Sequence, residues 1–293
     1  MIQDILPARL DNAYRNAEPG ENDHILIFDE TGKVLVKVED GKAGFADAPA
    51  GTEAVYLFSI DDVNYFLAAR DEKADPGAGQ EGGSGDAPEG FSFRTVRDMR
   101  RVCAGKELFA AFTAWHLWRW YRDNRHCGRC GSPLAHDLKE RAMRCPECGN
   151  VIYPRINPAV IVGVIKGDSM LITRYRTGYG HNALVAGFTE IGETLEETVA
   201  REVMEETGVR VKNITYYKSQ PWGIAQDILT GFFCEAEGDG AITMDPGELK
   251  YAEWVKREEI ELQPDDISLT NEMMRIFRDG KLPHNFRLST SGV

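Results

Sequence analysis

Apolar and polar positions alternate in two early pairs of segments. HILIF at 24–28 is followed by a DETG turn and KVLVKVE, and AVYLFSI at 54–60 by an Asp-Asp turn and VNYFLAA. Alternation with turn residues between the runs predicts hairpins in a small β-rich unit. From Ala74 to Gly90 the chain reads ADPGAGQEGGSGDAPEG, which has almost nothing to bury and reads as a mobile loop. The spacing becomes helical at ELFAAFTAWHLWRWYRDN, residues 107–124, where Leu108, Phe112, Trp115, Leu117 and Trp118 mark a buried face. The aromatic density there fits packing better than a ligand box. The stripe of Trp115, Trp118 and Trp120 suits either the protomer interior or part of a subunit interface. Further on, the runs PAVIVGVI and SMLITRY, a glycine-punctuated loop, a strong helix over about Thr194 to Thr207, the runs ILTGFFCEAE and EWVK, and a helix over about Leu269 to Arg278 predict an α/β layered domain. The tail after Pro283 reads as disordered. The expected organisation is a β-rich N-terminal domain over 1–106, a linking helix over 107–125, a cysteine module over 126–153, the α/β domain over 154–282 and a tail over 283–293.

Composition narrows the class. With 293 residues, 42% hydrophobic and 28% charged, the chain can bury two or three cores without staples. It contains no apolar run near the roughly 20 residues that span a bilayer. The start, MIQDILPARLDNAYRN, lacks a basic segment followed by an apolar one, so a cytoplasmic protein with no membrane partner is expected. A net charge of -13 argues against a protein whose main task is to coat nucleic acid. The local balance reverses between Arg122 and Arg155, where Arg122, Arg125, Arg129, Lys139, Arg141, Arg144 and Arg155 outnumber Asp123, Asp137, Glu140 and Glu147, leaving an anion or RNA contact open there.

Within that stretch, CGRCG and CPECG place Cys127, Cys130, Cys145 and Cys148 in two CxxC knuckles fourteen residues apart. Each knuckle aims two thiolates at one point and carries a glycine for the tight turn, the pattern of a structural Zn²⁺ site with no open position. Two disulfides would be disfavoured in a reducing compartment. His126 and His136 are not needed as ligands, and Cys103 and Cys234 read as inert core residues.

The helix near 200 carries the candidate chemistry. In GFTEIGETLEETVAREVMEETGV, residues 187–209, the helical repeat puts Glu202, Glu205 and Glu206 on one side. Three facing carboxylates repel one another unless cations intervene, and they offer the hard oxygen donors that Mg²⁺ or Mn²⁺ prefers.

This stretch resembles the Nudix box, with Gly187, Glu193, Arg201, Glu202, Val203, Glu205, Glu206, Gly208 and Val209 at its fixed positions. The resemblance implies an α/β/α sandwich in which Glu193 and Arg201 pair to hold the loop and Gly208 ends the helix. It also implies metal-assisted attack of water on a diphosphate, with Glu202, Glu205 and Glu206 as catalytic metal ligands, joined by the Ala186 carbonyl and Glu248. Together with the four-cysteine ribbon, the LVAGF lead-in and SQPW at 219–222, residues 107 to about 278 are similar to bacterial NADH pyrophosphatases. That likeness implies hydrolysis of NAD(H) to NMN(H) and AMP, removal of NAD caps from RNA, and a homodimer. Substrate contacts are expected from Phe188, Tyr153, Gln220, Trp222, Glu140, Arg97 and Thr270; physically, Phe188 and Tyr153 offer ring faces for stacking.

Two departures bear on the substrate. The family continues SQPW with Pro-Phe-Pro and then a Ser two places on, whereas this chain reads Gly223, Ile224, Ala225, Gln226, Asp227, which predicts a more flexible loop with less stacking surface. Thr270 stands where the family usually has Ala. The alternatives are hydrolysis of another nucleoside diphosphate derivative, ADP-ribose or a dinucleoside polyphosphate, and a non-catalytic nucleotide sensor or nucleic-acid-binding regulator, against which the intact glutamates count.

Overall fold

The computed structural model describes residues 1–47, 53–68, 87–178 and 180–286. Most of the expected loop at 74–90 and the end of the tail lie outside the described residues. Two compact units form, one from Gln3–Arg155 with Gly223–Gln226, the other from Met1–Ile2, Ile156–Trp222 and Asp227–Val293. No described helix is long and apolar enough to cross a membrane.

In the first unit, Ala54–Ile60 and Val63–Ala68 form the expected antiparallel hairpin. Asp61 takes φ 54°, the left-handed backbone that a two-residue turn requires. The other predicted pair is only partly a hairpin. A turn closes between Asp29 and Lys33, with Phe28 and Val34 bridged beside it and Leu35 N–H bonded to the Ile27 carbonyl at 2.9 Å. His24–Leu26 instead pairs parallel with Val63–Ala68 in a five-stranded sheet, while Val34–Glu39 joins a separate three-stranded sheet with Lys42–Gly44 and Phe91–Arg94.

The helix Gly105–Asp123 is buried on most of its circumference, including Leu108, Phe112, Leu117, Trp118 and Trp120. Trp118 stacks on Phe28, and Trp115 donates its indole N–H to the Gly32 carbonyl. Trp118 and Trp120 are thus interior residues of the protomer. After this helix come the short strands Ala135–His136, Met143–Arg144 and Val151–Ile152, a three-stranded antiparallel sheet.

The second unit is built on a six-stranded mixed sheet in which Asn157–Lys166 lies centrally, parallel to Asp227–Ala236 and antiparallel to Ser169–Tyr175 and Val185–Phe188. Strand alternation explains the unbroken apolar run PAVIVGVI. Val160, Val162 and Val164 face the core shared with Val199 and Val203 of the helix Leu195–Thr207, while Ile161 and Ile165 face that of Leu269, Met273 and Phe277 in the helix Leu269–Arg278. A strand covered by helices on both faces has no polar side. This is the expected α/β/α sandwich.

Candidate active site and metal centre

The two knuckles of the ribbon close alike, Gly131 N–H onto the Cys127 carbonyl at 2.8 Å and Gly149 N–H onto that of Cys145 at 3.0 Å. Both glycines need a positive φ, 78° and 71°. The four Sγ atoms lie within 4.8 Å of one another, with 3.6 Å from Cys127 to Cys148 and 3.4 Å from Cys130 to Cys145. Tetrahedral zinc with Zn–S near 2.3 Å sets sulfur atoms about 3.8 Å apart, so the set fits Zn²⁺. Backbone amides, that of Arg129 foremost, lower the Cys127 thiol toward the thiolate a metal binds. Cys103 and Cys234 are buried away from this centre.

The basic excess of the ribbon is largely spent inside its own unit. Arg141 bonds the Leu57 carbonyl and Asn12, Arg144 binds Asp137 at 2.7 Å, Arg122 pairs with Asp123 over the Trp118 ring, and Arg155 donates to Gln226 at 2.6 Å. Arg125, Arg129 and Lys139 remain exposed.

In the second unit the helix Leu195–Thr207 begins at Thr194, whose hydroxyl and Glu197 form a reciprocal capping box, and ends at Gly208 with φ 68°. The loop before it is tied down by Arg201, which bonds Glu193 at 2.6 and 2.9 Å and the Phe188 carbonyl at 2.9 Å. That guanidinium, with help from the Glu190 amide, draws the Glu193 carboxyl down to about 2.

The three box carboxylates sit at graded depth. Glu205 lies at the rim with its side chain 60% exposed, Glu202 is at 13%, and Glu206 is 2% exposed overall. Arg201 neutralises the outer pair at 2.7 Å from Glu202 and 3.0 Å from Glu205. Among the described residues no such partner serves Glu206. Burial first, then the charges of Glu202 and Glu248, push it up to about 8. Burial also raises Glu202, with Glu205 and Glu248 adding to the effect against Arg201. The Asp245 amide bonds the Glu206 carbonyl at 2.9 Å, which brings the segment of exposed Glu248 to the box helix, and the Arg176 amide bonds the Glu248 carbonyl at 3.0 Å. A buried carboxylate crowded by like charges is a donor set that a hard divalent cation relieves.

Ala186 and Gly187 run alongside on Val185–Phe188. A Cβ at Gly187 would stand 1.9 Å from Glu202 Cδ, so the glycine makes room for that carboxylate. Because the colliding atoms are the end of a side chain, Gly187→Ala should leave thermal melting within a few degrees of wild type. It should lower kcat about a hundredfold by displacing Glu202. An unchanged kcat would mean that the position of Glu202 is immaterial.

The expected substrate contacts fall in both units. Phe188 is 53% exposed at the head of the box loop. Gln220 is fully buried, its amide donating to the Ile267 carbonyl at 2.7 Å and accepting from Leu269 N–H at 2.8 Å. It therefore orders the start of the helix that carries half-buried Thr270. Half-buried Trp222 ends the same strand as Gln220. In the other unit, Tyr153 is 56% exposed and donates to Glu140 at 3.0 Å, and Arg97 is exposed on the helix Val96–Val102.

The loop after Trp222 is not slack. Gly223–Ala225 is a turn of 3-10 helix, and a Cβ at Gly223 would stand 2.3 Å from the Phe112 carbonyl oxygen. Gln226 is buried and held by Arg155. The glycine answers a backbone approach. The chain pattern also gave no sign of Asp227, which is buried, with no partner for Oδ1 among the described residues, and pushed up to about 6 by burial, nor of Tyr175, whose hydroxyl reaches Glu206.

Residues 155–275 match the NUDIX domain, and residues 122–153 match the NADH pyrophosphatase zinc ribbon domain. The chain therefore holds a Nudix domain over residues 155–275, preceded over residues 122–153 by a zinc ribbon of the NADH pyrophosphatase type. It is 44% identical over 149 residues to the NAD-capped RNA hydrolase NudC of Salmonella typhi, which covers 50% of this chain and 58% of that protein. The protein of the same name from Citrobacter koseri is 44% identical over 151 residues, with the same coverage. The chain thus spans 58% of the length of these curated relatives. A solved Nudix hydrolase from Nitrosomonas europaea has 21% identity and a TM-score of 0.47, covering 53% of this chain and 91% of its own.

Proposed function

We propose that this chain hydrolyses the diphosphate of NAD(H) to NMN(H) and AMP with Mg²⁺ or Mn²⁺, and that it also removes NAD caps from RNA. The observation that carries this reading is Glu206, a carboxylate buried without a basic partner among the described residues, beside Glu202 and under the influence of Glu248. Such a group has no structural use that a neutral side chain would not serve better. When bound, divalent cations supply Lewis acidity toward the diphosphate oxygens.

The side chains have distinct tasks. Glu202, Glu205, Glu206, Glu248 and the Ala186 carbonyl would hold the cations, Glu205 from the open rim and Glu206 from the buried end. Arg201 fixes the loop and so presents Phe188, whose exposed ring stacks on a base of the dinucleotide. Gln220 acts by ordering the backbone at Ile267–Leu269, and so shapes the pocket that Thr270 and Trp222 complete. Tyr153, Glu140 and Arg97 are further proposed substrate contacts. The zinc ribbon is structural, and Arg125, Arg129 and Lys139 are its exposed cations for an RNA chain behind the cap. We assign the hydrolase domain to 154–282 and the ribbon to 126–153, and place the protein in the cytoplasm as a homodimer.

The altered segment Gly223–Asp227 favours a second reading, preference for ADP-ribose or a dinucleoside polyphosphate. A panel of NADH, NAD, ADP-ribose, diadenosine polyphosphate and NAD-capped RNA with Mg²⁺ or Mn²⁺ separates the two. NADH is expected to give the highest kcat/KM. A higher value for ADP-ribose would mean that the loop has redirected the enzyme, and no turnover would support the sensor alternative.

A further inference from the structure

The segment Arg174–Arg176 touches the acidic site at two points, and nothing in the box motif accounts for it. The Tyr175 hydroxyl stands 3.1 Å from the Ala186 amide nitrogen, 3.3 and 3.5 Å from the two oxygens of Glu206, and 3.4 Å from the carbonyls of Leu184 and Ala186. A phenol has one proton to give. The Ala186 N–H points at its oxygen, so that oxygen accepts there and the proton is free for another partner. Among the acceptors in reach the Glu206 carboxyl is the nearest. The hydroxyl therefore links the strand Val185–Phe188 to the helix Leu195–Thr207 at the depth of the least exposed glutamate.

The backbone is shaped for this contact. Pairing with Leu249–Lys256 is regular from Ser169 to Arg174, which faces Tyr251, and then slips so that Tyr175 faces Leu249. Such an irregularity re-aims a side chain. Beyond it the Arg176 amide bonds the carbonyl of Glu248 at 3.0 Å. One irregular strand end thus fixes Glu206 through a side chain and Glu248 through the backbone.

We propose that Tyr175 is a positioning residue for the cation site, its hydroxyl holding the buried Glu206 carboxylate against the backbone of Ala186. The inference rests on the cation-dependent reading of the site and adds a residue to it. Phenylalanine would fill the same space without the link, so the hydroxyl alone is at issue.

The test uses the full zinc-loaded chain without substrate and measures Mn²⁺ binding from the electron paramagnetic resonance signal of free Mn²⁺. Wild type, Tyr175→Phe and Glu206→Gln are compared, with circular dichroism as the check on folding. Losing a hydrogen bond to a charged group should weaken Mn²⁺ binding about tenfold in Tyr175→Phe. Most of kcat should return at saturating Mn²⁺, with KM for NADH unchanged. If Tyr175→Phe binds Mn²⁺ within twofold of wild type while Glu206→Gln does not bind it, the role of Tyr175 is overturned and the cation site stands. If wild type binds no Mn²⁺, the cation-site reading falls and takes this one with it.

Discussion

Replacing Glu206 with Gln should lower turnover of NADH about a thousandfold or more while the protein remains folded. Glutamine has nearly the shape of glutamate, so it fills the same space, and its amide oxygen can still accept from the Tyr175 hydroxyl and the Ala186 amide. The charge is what disappears. In the folded chain the carboxyl sits at 2% exposure, where burial and the charges of Glu202 and Glu248 push it up to about 8 and no arginine or lysine among the described residues pairs with it. In the metal-free protein that carboxyl is already driven toward its neutral form, so a neutral glutamine should leave the melting temperature unchanged or slightly higher. The same step removes the deepest anionic ligand of the proposed cation site, and losses of this size follow when an essential electrostatic contact to the transition state is deleted. The check is kcat alongside thermal melting. A folded variant that kept more than a tenth of wild-type kcat would remove Glu206 from the reaction.

Removing zinc should have the opposite character, a loss of structure rather than of chemistry. The ribbon has three strands of two residues each and buries few side chains beyond Ala142, Met143 and the two cysteines at 1% and 2% exposure, Cys145 and Cys127. A segment so small does not hold itself together without a metal or disulfides. Structural zinc contributes on the order of 10 kcal/mol to such modules. Wild type should carry one zinc per chain by elemental analysis, and Glu206→Gln should carry the same. Cys145→Ala should lose it and melt at least about 10 °C lower, or fail to accumulate as soluble protein. Full zinc content and wild-type melting in Cys145→Ala would show that the four thiolates do not form a metal site.

The parts of this molecule legible in the sequence are those whose physics is local. The box helix was readable because capping, amphipathic spacing and the C-terminal glycine all lie within one window, and it spans Leu195–Thr207 with Thr194 as its cap. The cysteine knuckles are equally local. The apolar run at 158–165 was legible as a strand signal, and the structure explains its unbroken character, since two helices leave it no polar side. What could not be read depends on residues far apart in the chain. His24–Leu26 pairs parallel with a strand some forty positions away rather than with its neighbour, a choice no turn signal encodes. The basic residues of the ribbon counted as free charge until Asp137, Gln226 and the Leu57 carbonyl were found beside them. Gly223 looked like lost rigidity because the Phe112 carbonyl that demands it lies 111 positions earlier in the chain. In the sequence Tyr175 is no more than the last residue of the run SMLITRY. Only the register slip against Leu249–Lys256 turns it into a neighbour of Glu206.

The most direct test of the account is the NADH arm of the substrate panel, with the products separated by chromatography after incubation with Mg²⁺ or Mn²⁺. Equal amounts of NMNH and AMP, formed by wild type and not by Glu206→Gln, are what cleavage of the diphosphate at this site requires. Nicotinamide and ADP-ribose as products, or NMNH and AMP formed equally well by Glu206→Gln, would contradict it.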